Sequence, residues 1–243
     1  MTSIEAPTAT SPLIAVSGLT KSYEGNGAPA ITAVNGVELD IAAGEFLMIT
    51  GRSGSGKTTL LNLIAGLATP SAGTVSFEGV DMWSLSDRER TRMRGERIGF
   101  VFQFPSLIPT LTALENVALP LGLWPSGLEP EAQRLRALEV LTTVGLEDKA
   151  GAWPRQLSAG QQQRVVLARA LVRKPSVILA DEPTSNLDEA TEAEVMKVFQ
   201  AVRETTDVTV CMVTHTTQLT TWGTRSVRMA SGSIVEDSAT SRC

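Results

Sequence analysis

The sequence predicts an α/β fold: a core of apolar strands, a small antiparallel sheet laid against it, and an inserted block of helices. Three observations carry this. The apolar run Phe46–Thr50 passes through a glycine-rich turn into a second run, Leu60–Leu67, of helical composition. Other short apolar runs end in single polar residues, as core strands of α/β sheets do. The stretch from Leu111 to Leu171 reads as mostly helical, broken at 124–127, Gly145, Gly151 and Pro154.

Composition narrows the function classes. With 243 residues and 42% hydrophobic content the chain can bury a sizeable core. The formal charge, 21 − 26 = −5, supplies no basic excess to neutralise phosphates along a duplex, so no nucleic-acid partner is expected. No apolar stretch approaches the roughly 18 residues of a membrane span. Met1 to Ser11 is rich in Thr, Ala, Ser and Pro and lacks the basic and apolar regions of a signal peptide. Cys211 and Cys243 form no C-x-x-C pair, which argues against disulfides and zinc. A soluble cytoplasmic chain is expected.

Taken in order, residues 1–12 read as a disordered lead-in, and Leu13–Val16 and Val34–Ile41 read as strands joined through Glu24–Pro29. Thr74–Phe77, between Gly73 and Gly79, is a third; together they make the small antiparallel sheet. Tyr23 falls in the connection between the first two strands. On position alone it is either an ordinary exposed turn residue or a ring offered to a ligand.

The turn Gly51-Arg52-Ser53-Gly54-Ser55-Gly56-Lys57-Thr58-Thr59 is the centre of the chain. Residues without a Cβ let successive backbone N–H groups curl round an anion, and the following helix adds its unpaired donors and dipole. Lys57 supplies a point charge for β- and γ-phosphates, and the Thr58 hydroxyl can ligate Mg²⁺. Strand, loop, Lys-Thr and helix stand in the order a phosphate loop requires, so the chain is expected to bind a nucleoside triphosphate.

Ser84 to Arg97 interleaves arginines with Asp87, Glu89 and Glu96, the pattern of a solvated helix face rather than a nucleic-acid patch. Ile98–Phe102 reads as a strand delivering Gln103. Leu157-Ser158-Ala159-Gly160 opens a helix over 161–173, with Ser158 as its cap and a second set of unpaired N–H groups for an anion. Val177–Ala180 reads as a buried strand ending in Asp181-Glu182. There an Asp can hold the shell of a Mg²⁺ ion while the neighbouring Glu orients or deprotonates water. Asp188 opens a helix of about 189–204. Val208–Val213 is a further strand ending at Thr214-His215, the one histidine of the chain. A lone histidine is usually structural, but this one ends a core strand, like Gln103 and Asp181, and can reach the same crevice. Ser226–Ala230 and Ser233–Glu236 turn at Ser231-Gly232, and 237–243 is expected to be a loose tail.

The set as a whole resembles the ATP-binding subunit of an ABC transporter over nearly all of residues 13–236. The phosphate loop resembles that family's Walker A and Val177–Glu182 its Walker B. Leu157-Ser158-Ala159-Gly160-Gln161 resembles its signature motif. Gln103 matches the Q-loop, Ser185-Asn186-Leu187-Asp188 the D-loop, His215 the switch histidine, and Tyr23 the aromatic that stacks on adenine. Phe102–Val117 and Gln161-Gln162-Gln163-Arg164 resemble the lipoprotein-releasing and macrolide-exporting type. The cell-division ATPase of the same type is a close alternative, with a regulatory rather than a transport role. Ala159 departs from the usual glycine of the signature, for which slower closure is expected, and Arg52 departs from a commoner small or acidic residue.

This resemblance implies a RecA-like P-loop NTPase core with an antiparallel β subdomain and a helical subdomain at about 104–172. It implies that two copies bind two ATP head to tail. Gly51, Ser53–Gly56, Lys57, Thr58 and Thr59 of one copy would hold the phosphates, and Ser158, Gly160 and Gln161 of the other would cap the γ-phosphate. Thr58, Gln103 and Asp181 would serve Mg²⁺, Glu182 would be the general base, His215 would contact the γ-phosphate, and Asp188 would couple the sites. The same resemblance implies a membrane permease as partner and a peripheral place on the cytoplasmic face of the membrane.

Overall fold

The structure, a computed structural model, describes residues 11–24, 30–123 and 127–239. β1 (Ile14–Tyr23), β2 (Ile31–Ile41), β4 (Ala72–Phe77) and β5 (Val80–Asp81) form a four-stranded antiparallel sheet in the order β2-β1-β4-β5. A six-stranded sheet contains β3 (Phe46–Thr50), β6 (Ile98–Val101), β7 (Val177–Asp181), β8 (Thr209–Thr214), β9 (Arg225–Ala230) and β10 (Ser233–Asp237). Its order is β10-β9-β3-β8-β7-β6, parallel throughout except for the β9–β10 hairpin.

Strand periodicity divides the interior. Successive side chains on a strand point to opposite faces. Leu47 and Ile49 of β3, Leu179 of β7 and Cys211 and Val213 of β8 therefore face one way, against α1 (Lys57–Ile64) and the antiparallel sheet. Phe46 and Met48, Ile178 and Ala180, and Val210 and Met212 face the other way. There they meet α3 (Ala113–Leu123), α4 (Pro130–Thr143), α5 (Ala159–Leu171) and α6 (Glu189–Thr206). α1 thus sits between the two sheets. α2 (Asp87–Arg97) has no buried residue, as its interleaved charges require, and is closed by a reciprocal cap between Ser86 and Glu89.

Three expectations are corrected. β1 runs on to Tyr23, so Tyr23 ends a strand instead of lying in a loop; β1 is sandwiched between β2 and β4, whose backbone bonds extend it. The helix after the signature starts two residues earlier, at Ala159, because Ser158 and Gln161 form a capping box. Asp237 ends β10 and is bound bidentately by Arg225, so the tail is not loose from 237. The expected lead-in lies, apart from Ser11 and Pro12, outside the described residues, as do 25–29, 124–126 and 240–243.

Candidate active site

Parallel register sets the site. Thr50 at the end of β3 pairs with Thr214 at the end of β8, and Val213 pairs with Asp181 at the end of β7. The residues that follow, Gly51, His215 and Glu182, therefore emerge side by side at the carboxyl edge of adjacent strands, where α/β sheets place ligands.

Gly51 to Lys57 curls between β3 and α1. Gly54 and Gly56 have φ of 77° and 99°, a region disfavoured for residues with a Cβ, and Gly56 caps α1. Lys57 is only 5% exposed. Its Nζ donates to the carbonyl oxygens of Gly51 at 2.9 Å and Arg52 at 3.2 Å, and lies 3.8 Å from Glu182 Oε1. A buried ammonium held by its own loop is a charge already desolvated and aimed. Ser53–Thr59 and Glu182 line a cavity of about 250 Å³. A second cavity, of about 620 Å³, is lined by Gly51–Ser55, His215 and the β9–β10 turn. The Ser55 hydroxyl is buried there without a hydrogen-bond partner among the described residues.

The Thr58 hydroxyl donates to Asp181 Oδ1 at 3.1 Å. Burial pushes the Asp181 pKa up, opposed by the Thr58 hydrogen bond, while Glu182 pushes it further up and Lys57 opposes. Glu182 adopts φ 45°, a strained position for a residue with a Cβ, fixed by its N–H donating to Val213 O at 3.0 Å. That backbone holds its carboxylate between Lys57 and His215, whose Nδ1 is 2.9 Å from Glu182 Oε2. Lys57, Thr58, Asp181, Glu182 and His215 are thus one connected cluster.

Two carboxyl groups, Asp181 and Glu182, thus face one lysine. Among the described residues no group of three His, Cys, Asp or Glu side chains forms a metal cage. Thr58 Oγ1 and Asp181 Oδ1 instead put two hard oxygen donors side by side. This suits Mg²⁺, which takes one or two protein oxygens and completes its shell with phosphate and water.

The remaining predicted residues form no hydrogen bond or ion pair with that cluster among the described residues, although Val101 of β6 pairs with Ala180 of β7 and so brings Gln103 to the same carboxyl edge. Gln103 lies two residues beyond β6, half-buried, and its side chain makes no hydrogen bond among the described residues. Ser158 and Gln161 cap α5 reciprocally: Ser158 Oγ accepts from Gln161 N–H and Gln161 Oε1 accepts from Ser158 N–H. A Cβ on Gly160 would collide with Thr191 Cγ2 on α6. Asp188 caps α6, accepting from the Thr191 N–H and hydroxyl, which hold its carboxyl below the usual range. Tyr23 is exposed on the antiparallel sheet, with Lys21 Nζ 5.0 Å from its ring centre.

Sequence reasoning gave no individual role to Asn116, Gln163 or Arg169. Asn116, wholly buried, accepts from Ile108 N–H and donates to the carbonyls of Ile108, Leu111 and Thr112. A polar residue inside an apolar helical run was the available signal.

A strand–glycine turn–helix with a buried lysine, a hydroxyl beside an aspartate and a glutamate joined to a histidine defines a P-loop nucleotide-hydrolase core. A family model described as ABC transporter matches residues 34–185. The lipoprotein-releasing system ATP-binding protein LolD of Geobacter metallireducens is 42% identical over 227 residues, covering 93% of this chain and 100% of that protein. The macrolide export ATP-binding/permease protein MacB of Syntrophobacter fumaroxidans is 41% identical over 226 residues, 93% of this chain but 32% of that protein. The chain thus spans about a third of that MacB relative's length. Among solved structures, the dimeric post-hydrolysis state of the ATP-binding cassette MJ0796 bound to ADP and Pi superposes with a TM-score of 0.83. It is 42% identical, over 92% of this chain and 97% of that one. The chain belongs to the ABC transporter family, as an ABC ATPase cassette.

Proposed function

We propose that this chain is the ATP-hydrolysing subunit of a transporter of the lipoprotein-releasing or macrolide-exporting type, energising export or mechanical transmission by closure of two copies around two ATP. The observation that carries the ATPase part is the connected cluster Lys57–Glu182–His215 beside Thr58–Asp181. The transport part rests on similarity to LolD and MacB proteins.

In this reading residues 13–236 act as one ATPase unit, with about 104–172 as its helical part. The backbone N–H groups of Gly51 and Ser53–Gly56, with Lys57, Thr58 and Thr59, bind the triphosphate, and Tyr23 stacks on the base. Glu182, held at φ 45°, takes the proton of the attacking water, and His215 fixes that carboxylate and reaches the γ-phosphate. Mg²⁺ would be held by Thr58 and Gln103 with Asp181 behind, and would neutralise charge on the phosphates.

Ser158, Gly160 and Gln161 belong to a second copy's nucleotide, which fits a cap whose hydrogen bonds stay within α5. The Gly160 N–H at the start of α5, which the Ser158–Gln161 cap does not use, suits a γ-phosphate. Asp188 couples the two sites. Chemistry then needs both copies, which ties hydrolysis to opening and closing.

No helix among the described residues is long and apolar enough to cross a membrane. In this reading the chain is held at the cytoplasmic face by a permease, as its similarity to LolD and MacB proteins suggests. A cleft of about 250 Å³ lined by Phe100, Phe102, Pro120, Leu123 and Arg169 suits a cytoplasmic helix of that permease. Affinity purification of tagged Glu182→Gln protein with ATP from detergent-solubilised membranes, read by mass spectrometry, tests the assignment. A stoichiometric permease with a large extracytoplasmic domain supports it. Recovery of cell-division proteins alone would replace transport by a regulatory role.

A further inference from the structure

β6 ends at Val101, and the segment after it, which carries Gln103, belongs to no helix or strand through Pro109. Backbone groups in such a segment need partners from elsewhere. Two come from α5. Gln163, a side chain only 1% exposed on a helix otherwise buried through Val165, Val166 and Leu167, donates from Nε2 to Phe102 O at 3.2 Å. Arg169, further along the same helix, donates to Ser106 O at 2.6 Å and to Ser106 Oγ at 2.7 Å.

Neither side chain is placed cheaply. An amide costs free energy to bury unless it is hydrogen-bonded. Arg169 is partly buried without an acidic partner among the described residues, and that burial pushes its pKa down. Both spend their donors on the two flanks of Gln103, whose own side chain makes no hydrogen bond among the described residues. The flanks are fixed and the functional group between them is free.

We infer that Gln163 and Arg169 are positioning residues that lock residues 102–106 to α5, so that Gln103 and the Ser158–Gln161 helix start are presented as one rigid body. The inference rests on the two-copy reading above. Within that reading, Ser158–Gln161 of a chain docks on the second copy's nucleotide while Gln103 serves the chain's own. The clamp therefore makes capture of one nucleotide set the geometry at the other. This is a mechanical route to cooperativity through a 13-residue helix.

The test is steady-state ATP hydrolysis by the full chain across ATP concentration, alongside equilibrium binding of a fluorescent ADP analogue. The wild type should be sigmoidal, with a Hill coefficient of about 2. Gln163→Leu and Arg169→Ala should lower kcat roughly tenfold and drive the Hill coefficient towards 1, while the analogue's Kd stays within about twofold. Arg169→Lys, which keeps a donor for Ser106 O, should recover part of kcat. Ser106→Ala, at an exposed site, removes one clamp contact without threatening the fold, and should show a smaller loss of the same kind. Folded variants that keep both wild-type kcat and wild-type cooperativity would overturn the clamp, and Ser106→Ala with Arg169→Lys decide if the others do not fold. A wild type that is hyperbolic and monomeric would sink the two-copy reading and this inference with it.

Discussion

Replacing Gly56 by alanine tests the phosphate loop more sharply than removing a charge. Gly56 sits at φ 99°, and an added Cβ would fall inside 3.0 Å of Ala33 O and 3.2 Å from Ala33 C, both backbone atoms of β2. A left-handed conformation costs a residue with a Cβ about 1–2 kcal/mol. Forcing packed backbone apart adds about 1–3 kcal/mol. The expected loss is therefore about 2–5 kcal/mol, a large share of the roughly 5–15 kcal/mol that holds a typical domain together. Gly54→Ala is the internal control: its φ is 77°, but a Cβ there meets nothing within 4 Å, so only the conformational part applies. Urea unfolding of both variants gives the two losses, and their difference isolates the collision with Ala33. The Gly56 variant should also lose nucleotide affinity, because its N–H groups must shift to relieve the overlap. Equal losses in the two variants, or a loss below about 0.5 kcal/mol at Gly56, would mean that Ala33 does not oppose a Cβ at this position.

Three further outcomes follow from the same geometry. Asn116→Ala removes an acceptor for Ile108 N–H and an amide whose two N–H groups are shared among three carbonyls of the 108–112 loop, and should cost about 2–4 kcal/mol in urea unfolding; a loss under 1 kcal/mol would mean that water replaces the amide. Burial holds the folded-state pKa of Asp181 above its unfolded value, so its ionisation costs stability as pH rises above the ordinary aspartate range of about 4. Nucleotide-free Asp181→Asn should therefore be more stable than wild type at pH 7, with the advantage fading as pH falls through that range, and with hydrolysis lost; a variant less stable at pH 7 would contradict this. Burial pushes the Cys211 thiol up to about 12, so in a Cys243→Ser background a thiol reagent at pH 8 should label the chain only after unfolding.

Much of the site was readable from local chemistry. A glycine turn between strand and helix, a cap at Ser158 and a cap at Asp188 each depend on a few consecutive residues, and the structure has all three. Strand ends were readable too, because apolar runs stop where the sheet stops; parallel register then brought Asp181, Glu182 and His215 together. The full length of β1 was hidden by Gly18, Lys21 and Ser22, where register shifts break the alternation that marks a strand. Arg225 and Asp237 pair across a hairpin, a contact that neither residue signals alone. Gln163 bonds to the Phe102 carbonyl 61 residues away, and which carbonyl comes within reach there is decided by tertiary packing.

In the proposed mechanism two copies complete each active site. Light scattering of Glu182→Gln protein with and without ATP tests it most directly, since removing the base leaves bound ATP uncut. The protein should be a 25.8 kDa monomer without nucleotide and a species of twice that mass with ATP, holding one nucleotide per chain. A monomer that stays monomeric at saturating ATP would contradict it.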